Sequence, residues 1–218
     1  MQVELAGVTK GARGAPLPLT NLRFESGRAT LTRAETERRP TVLGLIASGR
    51  MRPTTGTVTI DGAVDHSKLR ARVALIDAPS VSDPAPDITV AGVAAEELMF
   101  AGIPSNPRRV ARTLAELGLT DVARSSIADV DAVQRLTLLC ELAIRRPGVE
   151  GLVIVSPDRH GGDPVEWWRL ANGFADRGLA VLMIAGDASA AAIAASSMLD
   201  RMRGSGDDEL ELSEGGLA

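Results

Sequence analysis

Between Pro40 and Gly62 the chain reads P-T-V-L-G-L-I-A-S-G-R-M-R-P-T-T-G-T-V-T-I-D-G, and no other stretch constrains the fold as much. Pro40 suits a first helical turn, because it has no N–H to leave unpaired and its φ is preset, while Arg39 before it is pushed out of helical geometry. Val42, Leu43, Leu45 and Ile46 then make a short apolar helix. Pro53 to Gly56 is a turn. Thr57-Val58-Thr59-Ile60 alternates as a strand, and Asp61-Gly62 closes it.

The rest of the chain alternates between the same two kinds of element. Val3-Glu4-Leu5 and Val8 suggest an opening strand, Gly11 to Pro18 a Gly/Pro-rich loop, and Leu19 to Phe24 a second strand, with Gly27 marking a hairpin into Ala29 to Thr32. Val73 to Ile76, Leu152 to Val155 and Leu179 to Ile184 are unbroken apolar runs, the pattern of parallel strands buried on both faces. Helices are predicted over Ala91 to Ala101, where Met99 and Phe100 read as core, after a cap at Asn106, over Gln134 to Arg146, and after a cap at Asp163. An Ala-rich helix from Ala188 to Arg203 and a last strand over Glu209 to Leu212 complete the series.

The order of these pieces resembles the ATPase subunits of ABC transporters. In that family a helix leads into R-P-T-S-G and a strand ending D-G, as Arg52 to Gly62 does here. L-T-V precedes the family's inserted helical subdomain, as Ile88-Thr89-Val90 does, and L-G-L-x-x-x-A is matched at Leu117 to Ala123. The resemblance implies an α/β fold of the P-loop NTPase-like (RecA-like) kind: a mixed sheet with helices on both faces, an N-terminal antiparallel β part and a small inserted helical subdomain. It implies one domain over residues 1–218, with the insert at roughly 88–132.

The chemistry of the family does not follow its scaffold. The family's spacing puts the lysine of G-x-x-G-x-G-K-S/T at Pro40 and its glycines at Ala34, Glu37 and Arg39; only Thr41, at the metal-binding hydroxyl, matches. Glycines let successive backbone N–H groups curl around phosphates while lysine supplies charge, and Pro40 has neither the charge nor the donor. Glu35 and Glu37 are expected to lie at the positive end of the helix that begins there and to stand in for the phosphate; a merely solvated loop is the alternative. The family's metal-touching glutamine falls at Asp77 or Ala78, and the chain's glutamines are Gln2 and Gln134 alone.

The remaining motifs fail in the same way. L-S-G-G-Q falls on Ala128 to Ala132, where Asp129 and Asp131 would face a phosphate, and Asp131 reads better as a helix N-cap. Asp-Glu-Pro becomes Ser156-Pro157-Asp158, so the metal-holding and water-polarising acids are replaced by Ser156 and Pro157; Asp158, one residue late on a strand end, is directed elsewhere. The histidine position is Gly186, and the sole histidines, His66 and His160, are expected in exposed loops. An aromatic residue stacks on adenine in the family; here Phe24 alternates with Leu22 and reads as core.

Composition narrows the function further. Net charge is −4 with Lys10 and Lys68 the only lysines and no basic face, which argues against nucleic acid. Cys140 is alone in an apolar helical run and reads as a buried thiol. Met1 to Lys10 has no leader pattern and no run approaches the ~18 apolar residues of a membrane span, so a cytoplasmic protein is expected, held at the inner face of the membrane through a partner.

The resulting expectation is a pseudo-ATPase: an ABC-ATPase-like scaffold or regulatory subunit that binds no ATP, takes no cofactor or metal, and docks on an integral membrane, permease-like partner without forming an ATP-driven homodimer. By resemblance the docking surface is Asp77, Ala78, Val81 and Ile88, with Met99 and Phe100 beside it. The alternative is an ATP-binding subunit of an ABC transporter with residual nucleotide binding or hydrolysis. A third reading, an unrelated α/β enzyme, would gather Asp158, His160 and Asp163 at a strand end.

Overall fold

The computed structural model describes residues 1–12, 15–36 and 38–198. Its strands are β1 (Gln2–Lys10), β2 (Leu17–Glu25), β3 (Arg28–Arg33), β4 (Thr55–Ile60), β5 (Val73–Ile76), β6 (Gly151–Val155) and β7 (Ala180–Ala185). Its helices are α1 (Arg39–Ala47), α2 (His66–Arg72), α3 (Val90–Phe100), α4 (Pro107–Glu116), α5 (Ala132–Ala143) and α6 (Pro164–Asp176). Residues 187–198 form a further helix, α7. The expected continuation to Arg203 and the strand over Glu209 to Leu212 lie outside the described residues.

Two sheets form, as an α/β P-loop NTPase-like fold requires. An antiparallel sheet runs β2-β1-β4, and a parallel one runs β3-β7-β6-β5. The hairpin expected at Gly27 does not exist as a ladder: β2 pairs with β1, while β3 crosses to pair in parallel with β7, Arg28 opposite Ala180. A glycine turn reverses the chain equally well whether the next strand returns to its predecessor or leaves for another sheet.

The three central strands divide their side chains by parity, because successive residues of a strand point to opposite faces. Ala74, Ile76, Leu152, Ile154, Val181 and Met183 join one core with α3 to α6. Val73, Leu75, Val153, Val155, Leu182 and Ile184 join a second core with α1, α2 and the antiparallel sheet, where Phe24 is buried as expected. Helices therefore cover one face of the parallel sheet, and α1 and α2 with the antiparallel sheet cover the other.

Helix α1 begins at Arg39, one residue before the proline, with Pro40 in its first turn. The expected exclusion of Arg39 from helix is outweighed by packing, since Pro40, Leu43, Gly44, Ile46 and Ala47 are all buried. At Gly44 the helix rests on the sheet so closely that an added Cβ would lie 2.7 Å from Val155 Cγ2 and 3.1 Å from Leu75 Cδ1. Alanine gains about 1 kcal/mol in helix propensity, but overpacking of a stiff core loses about 1–3 kcal/mol. Gly44→Ala is therefore expected to lower the urea midpoint despite its better propensity.

Five caps set the starts of α2 to α6, Thr89 accepting from Gly92 N–H at α3. Asp65 accepts from Ser67 and Lys68 N–H groups, Asn106 from Arg109, Asp131 from Val133 and Gln134, and Asp163 from Val165. Each is a local bond between a short polar side chain and an orphan donor of the first turn.

Candidate functional site

In open α/β sheets ligands gather outside the carboxyl ends of the strands. Here the ends of β3, β6 and β7 border a cleft of about 520 Å³ lined by Ala34, Glu35, Thr36, Pro40, Pro79, Ser156, Asp158, Arg159 and Gly186. This brings together Ala34, Pro40, Ser156 and Gly186 from the positions where the sequence predicts failed nucleotide motifs; Arg39, Thr41 and Pro157 are not among the lining residues. Glu37 falls outside the described residues. Asp129 and Asp131 lie apart from the cleft, in a 3-10 turn over Ile127–Asp129 and at the cap of α5.

Arg38 precedes α1 and makes no side-chain cap bond, and Pro40 in the first turn has no N–H to donate. Glu35 does not reach α1, contrary to the expectation that it would satisfy that helix. Its Oε1 instead accepts from Asp187 N–H at 2.7 Å, and Asp158 Oδ2 accepts from Gly186 N–H at 2.9 Å. Two carboxylates thus occupy the N-terminal donors of α7, where negative charge is favoured by the exposed N–H groups and the helix dipole. Gly186 makes room for them: a Cβ there would lie 2.8 Å from Asp158 Oδ2 and 3.2 Å from Glu35 Oε1.

Beside the cleft lies a buried charge cluster that the sequence did not reveal. Asp77 at the end of β5 is 1% exposed and left-handed at φ 57°. Arg135 on α5, 3% exposed, donates Nε to its Oδ2 at 3.1 Å and Nη2 to its Oδ1 at 2.7 Å. Arg135 Nη1 donates further to the carbonyl of Ile127. Arg159 Nη2 lies 2.8 Å from Asp77 Oδ1 and donates to the Asp77 carbonyl, while its Nη1 donates to Asp83 at 3.1 Å. His160 Nε2 stands 2.9 Å from Asp77 Oδ2, off the line of a hydrogen bond, so it is a close electrostatic contact. Burial alone would raise the Asp77 carboxyl, but His160, Arg135 and Arg159 outweigh it and hold the group well below the usual carboxylate range.

This arrangement corrects several expectations. Asp77 and Ala78 are buried and offer no docking side chain, because the first is spent on the ion pairs and the second packs in the core. His160 is in contact with Asp77 rather than in a free loop. Asp158, His160 and Asp163 do not converge as an enzyme site: they serve Gly186, Asp77 and the α6 cap respectively. The sequence signal that was available is Arg135, a lone charge in the Leu-rich face of α5, since a buried guanidinium requires a partner.

Three of the docking candidates are well exposed, two of them at the end of α3. Val81, Met99 and Phe100 are 50%, 59% and 65% exposed, so the reading of Met99 and Phe100 as core does not hold. Ile88 is half-buried against the first core. Arg146 lies over the Phe100 ring at 5.7 Å and donates to Glu97 at 2.5 Å. Cys140 is inert, its thiol pushed far up by burial and then by the charges of Asp77 and Glu141. Among the described residues no cluster of potential metal ligands occurs, and no helix is long and apolar enough to cross a membrane.

The fold so defined is that of a nucleotide-binding domain of the ABC-transporter kind. No protein-family model and no curated protein matches the sequence. Solved structures do match. The ATP-binding subunit of an ABC transporter superposes with a TM-score of 0.57 at 17% identity, over 86% of this chain and 80% of the other. A protein from Pyrococcus furiosus, assigned as an ABC transporter ATP-binding protein, gives a TM-score of 0.62 at 13% identity, over 86% and 92% of the two chains. At these identities the likeness establishes the fold.

Proposed function

We propose that this chain is a pseudo-ATPase: a protein with the fold of ABC-transporter ATP-binding subunits that neither binds nor hydrolyses ATP and serves as a scaffold or regulatory subunit of a membrane protein complex. One observation carries the reading. Glu35 and Asp158 already sit on the Gly186 and Asp187 donors inside the cleft, where a nucleotide would bring more negative charge. Like charges repel; neither lysine of the chain lines the cleft, and Arg159, which does, is already engaged by Asp77 and Asp83. Ser156 and Pro157 supply no metal-holding or water-polarising acid, and Gly186 no histidine.

The partner is an integral membrane, permease-like protein, reached through the accessible surface of Val81, Ile88, Met99 and Phe100, and the chain lies on the inner face of the membrane through it. Without ATP as a bridge, a head-to-tail homodimer has lost its main contact. Titration calorimetry with Mg-ATP is expected to show no binding, and the pure protein no Mg-dependent hydrolysis; micromolar binding or measurable turnover would return the chain to the active ATPases. Val81→Asp, at an exposed position where folding tolerates charge, is expected to abolish recovery of a membrane protein in affinity purification from host membranes. Full recovery with the folded variant would overturn the docking surface.

A further inference from the structure

The adjacent residues Asp158 and Arg159 reach in opposite directions from one 3-10 turn, Pro157–His160. Asp158 holds the start of α7 through Gly186 N–H at 2.9 Å. Arg159 holds the loop after β5 at both of its ends, through Asp77 at 2.8 Å and Asp83 at 3.1 Å. Between those ends the loop folds back on one carbonyl: Val81, Ser82 and Asp83 N–H groups all donate to Ala78 O, and Ser82 Oγ accepts from Ala78 N–H. Val81 projects from this closed loop at 50% exposure.

We infer that the Pro157–His160 turn is a built-in splint, which fixes the loop 77–83 in its docking shape with the chain's own ion pairs and so makes that shape independent of any nucleotide. The inference rests on the docking reading for its purpose, and on the geometry alone for its mechanism. Arg159 is a positioning residue in this scheme. It lines the cleft on one side and grips the loop on the other, so the cleft and the docking loop are joined by one guanidinium. Asp77 is kept from moving independently by Arg135, which ties it to α5. The loop is therefore anchored to the turn after β6 and to α5 at once, by contacts that involve no ligand.

A guanidinium that bridges two carboxylates is specific in a way a general packing contact is not, because its planar fork of donors fixes direction as well as charge. Glutamine at 159 keeps some length and polarity while removing the charge and the fork. Local opening of a loop is read by the exchange of its amide hydrogens.

Hydrogen–deuterium exchange of the full chain provides the test. In Arg159→Gln, the amides of residues 78–88 are expected to exchange at least about tenfold faster, while those of β1, β2 and β4 keep their rates. Asp83→Asn, which cuts the partly exposed end of the grip and leaves the Asp77–Arg135 pair intact, is expected to speed the same amides by a smaller factor; this variant answers the question if Arg159→Gln fails to fold. In the wild type, millimolar Mg-ATP is expected to leave the loop's exchange unchanged. Unchanged exchange in a folded Arg159 or Asp83 variant, or protection of the loop by Mg-ATP in the wild type, overturns the splint. The docking reading fails separately: if Val81→Asp still recovers the membrane partner, the surface is wrong whatever the exchange shows, and if it does not while loop exchange in both variants is unmoved, docking stands and the splint falls.

Discussion

Asp77→Ala is expected to destabilise the protein by about 3–5 kcal/mol, the range seen when one partner of a buried ion pair is removed. The reason is the charge left behind. Arg135 is 3% exposed and makes two of its bonds to Asp77, so truncation strands a guanidinium in the interior with only the Ile127 carbonyl to accept from it. Arg159 and His160 lose the same acceptor. Urea denaturation at neutral pH measures the loss. Combining Asp77→Leu with Arg135→Met removes both buried charges and is expected to recover much of it, since an apolar pair of similar volume often matches a buried ion pair.

The same residue sets an acid limit. Its folded value lies below its unfolded one, so its contribution is fully present at neutral pH, begins to fall as pH drops below the ordinary carboxylate value of about 4, and is lost as pH passes the folded value. Asp77→Asn is expected to flatten that part of the stability–pH profile. A wild-type profile without a decline below pH ~4 would contradict the assignment.

Gly186→His, which restores the residue type the family carries at that position, is expected to cost about 3 kcal/mol and to give no ATP binding in return. A Cβ at 186 falls 2.8 Å from Asp158 Oδ2 and 3.2 Å from Glu35 Oε1, and the imidazole needs more room still. Both carboxylates must move, which removes two acceptors from the N-terminus of α7, at about 0.5–2 kcal/mol each, with overpacking of about 1–3 kcal/mol overlapping that loss. Thermal unfolding of the variant reads the stability, and calorimetry with Mg-ATP reads the rest. Tight binding by Gly186→His would mean that one side chain had closed the site, and that Pro40, Ser156 and Pro157 matter less than the geometry indicates.

What the sequence disclosed and what it hid divide by physical range. The caps at Asn106, Asp131 and Asp163 were legible because each bonds a donor two or three residues away. The central strands were legible because burial on both faces demands an unbroken apolar run. Glu35 was placed at the wrong helix, since nothing local distinguishes the N–H groups of α1 from that of Asp187, 152 residues further on. The Asp77 cluster was hidden for the same reason: Arg135 and Arg159 come to it from 58 and 82 residues away. Met99 and Phe100 sit at helical spacing, which defines a face and leaves open whether anything covers it.

The pairing of β3 with β7 also bears on how the protein is made. All the strands of the antiparallel sheet are available once Ile60 has been made, because β1, β2 and β4 are close in sequence. Strand β3, by contrast, hydrogen-bonds to Ala180–Ala185 and waits through the synthesis of almost everything between. Closing a loop of that length before any contact rewards it slows assembly and leaves a strand edge open. The antiparallel sheet can pair early, yet its apolar face packs on β5, β6 and β7, so the arrival of the strand that precedes α7 is expected to complete both the parallel sheet and the core beneath the antiparallel one.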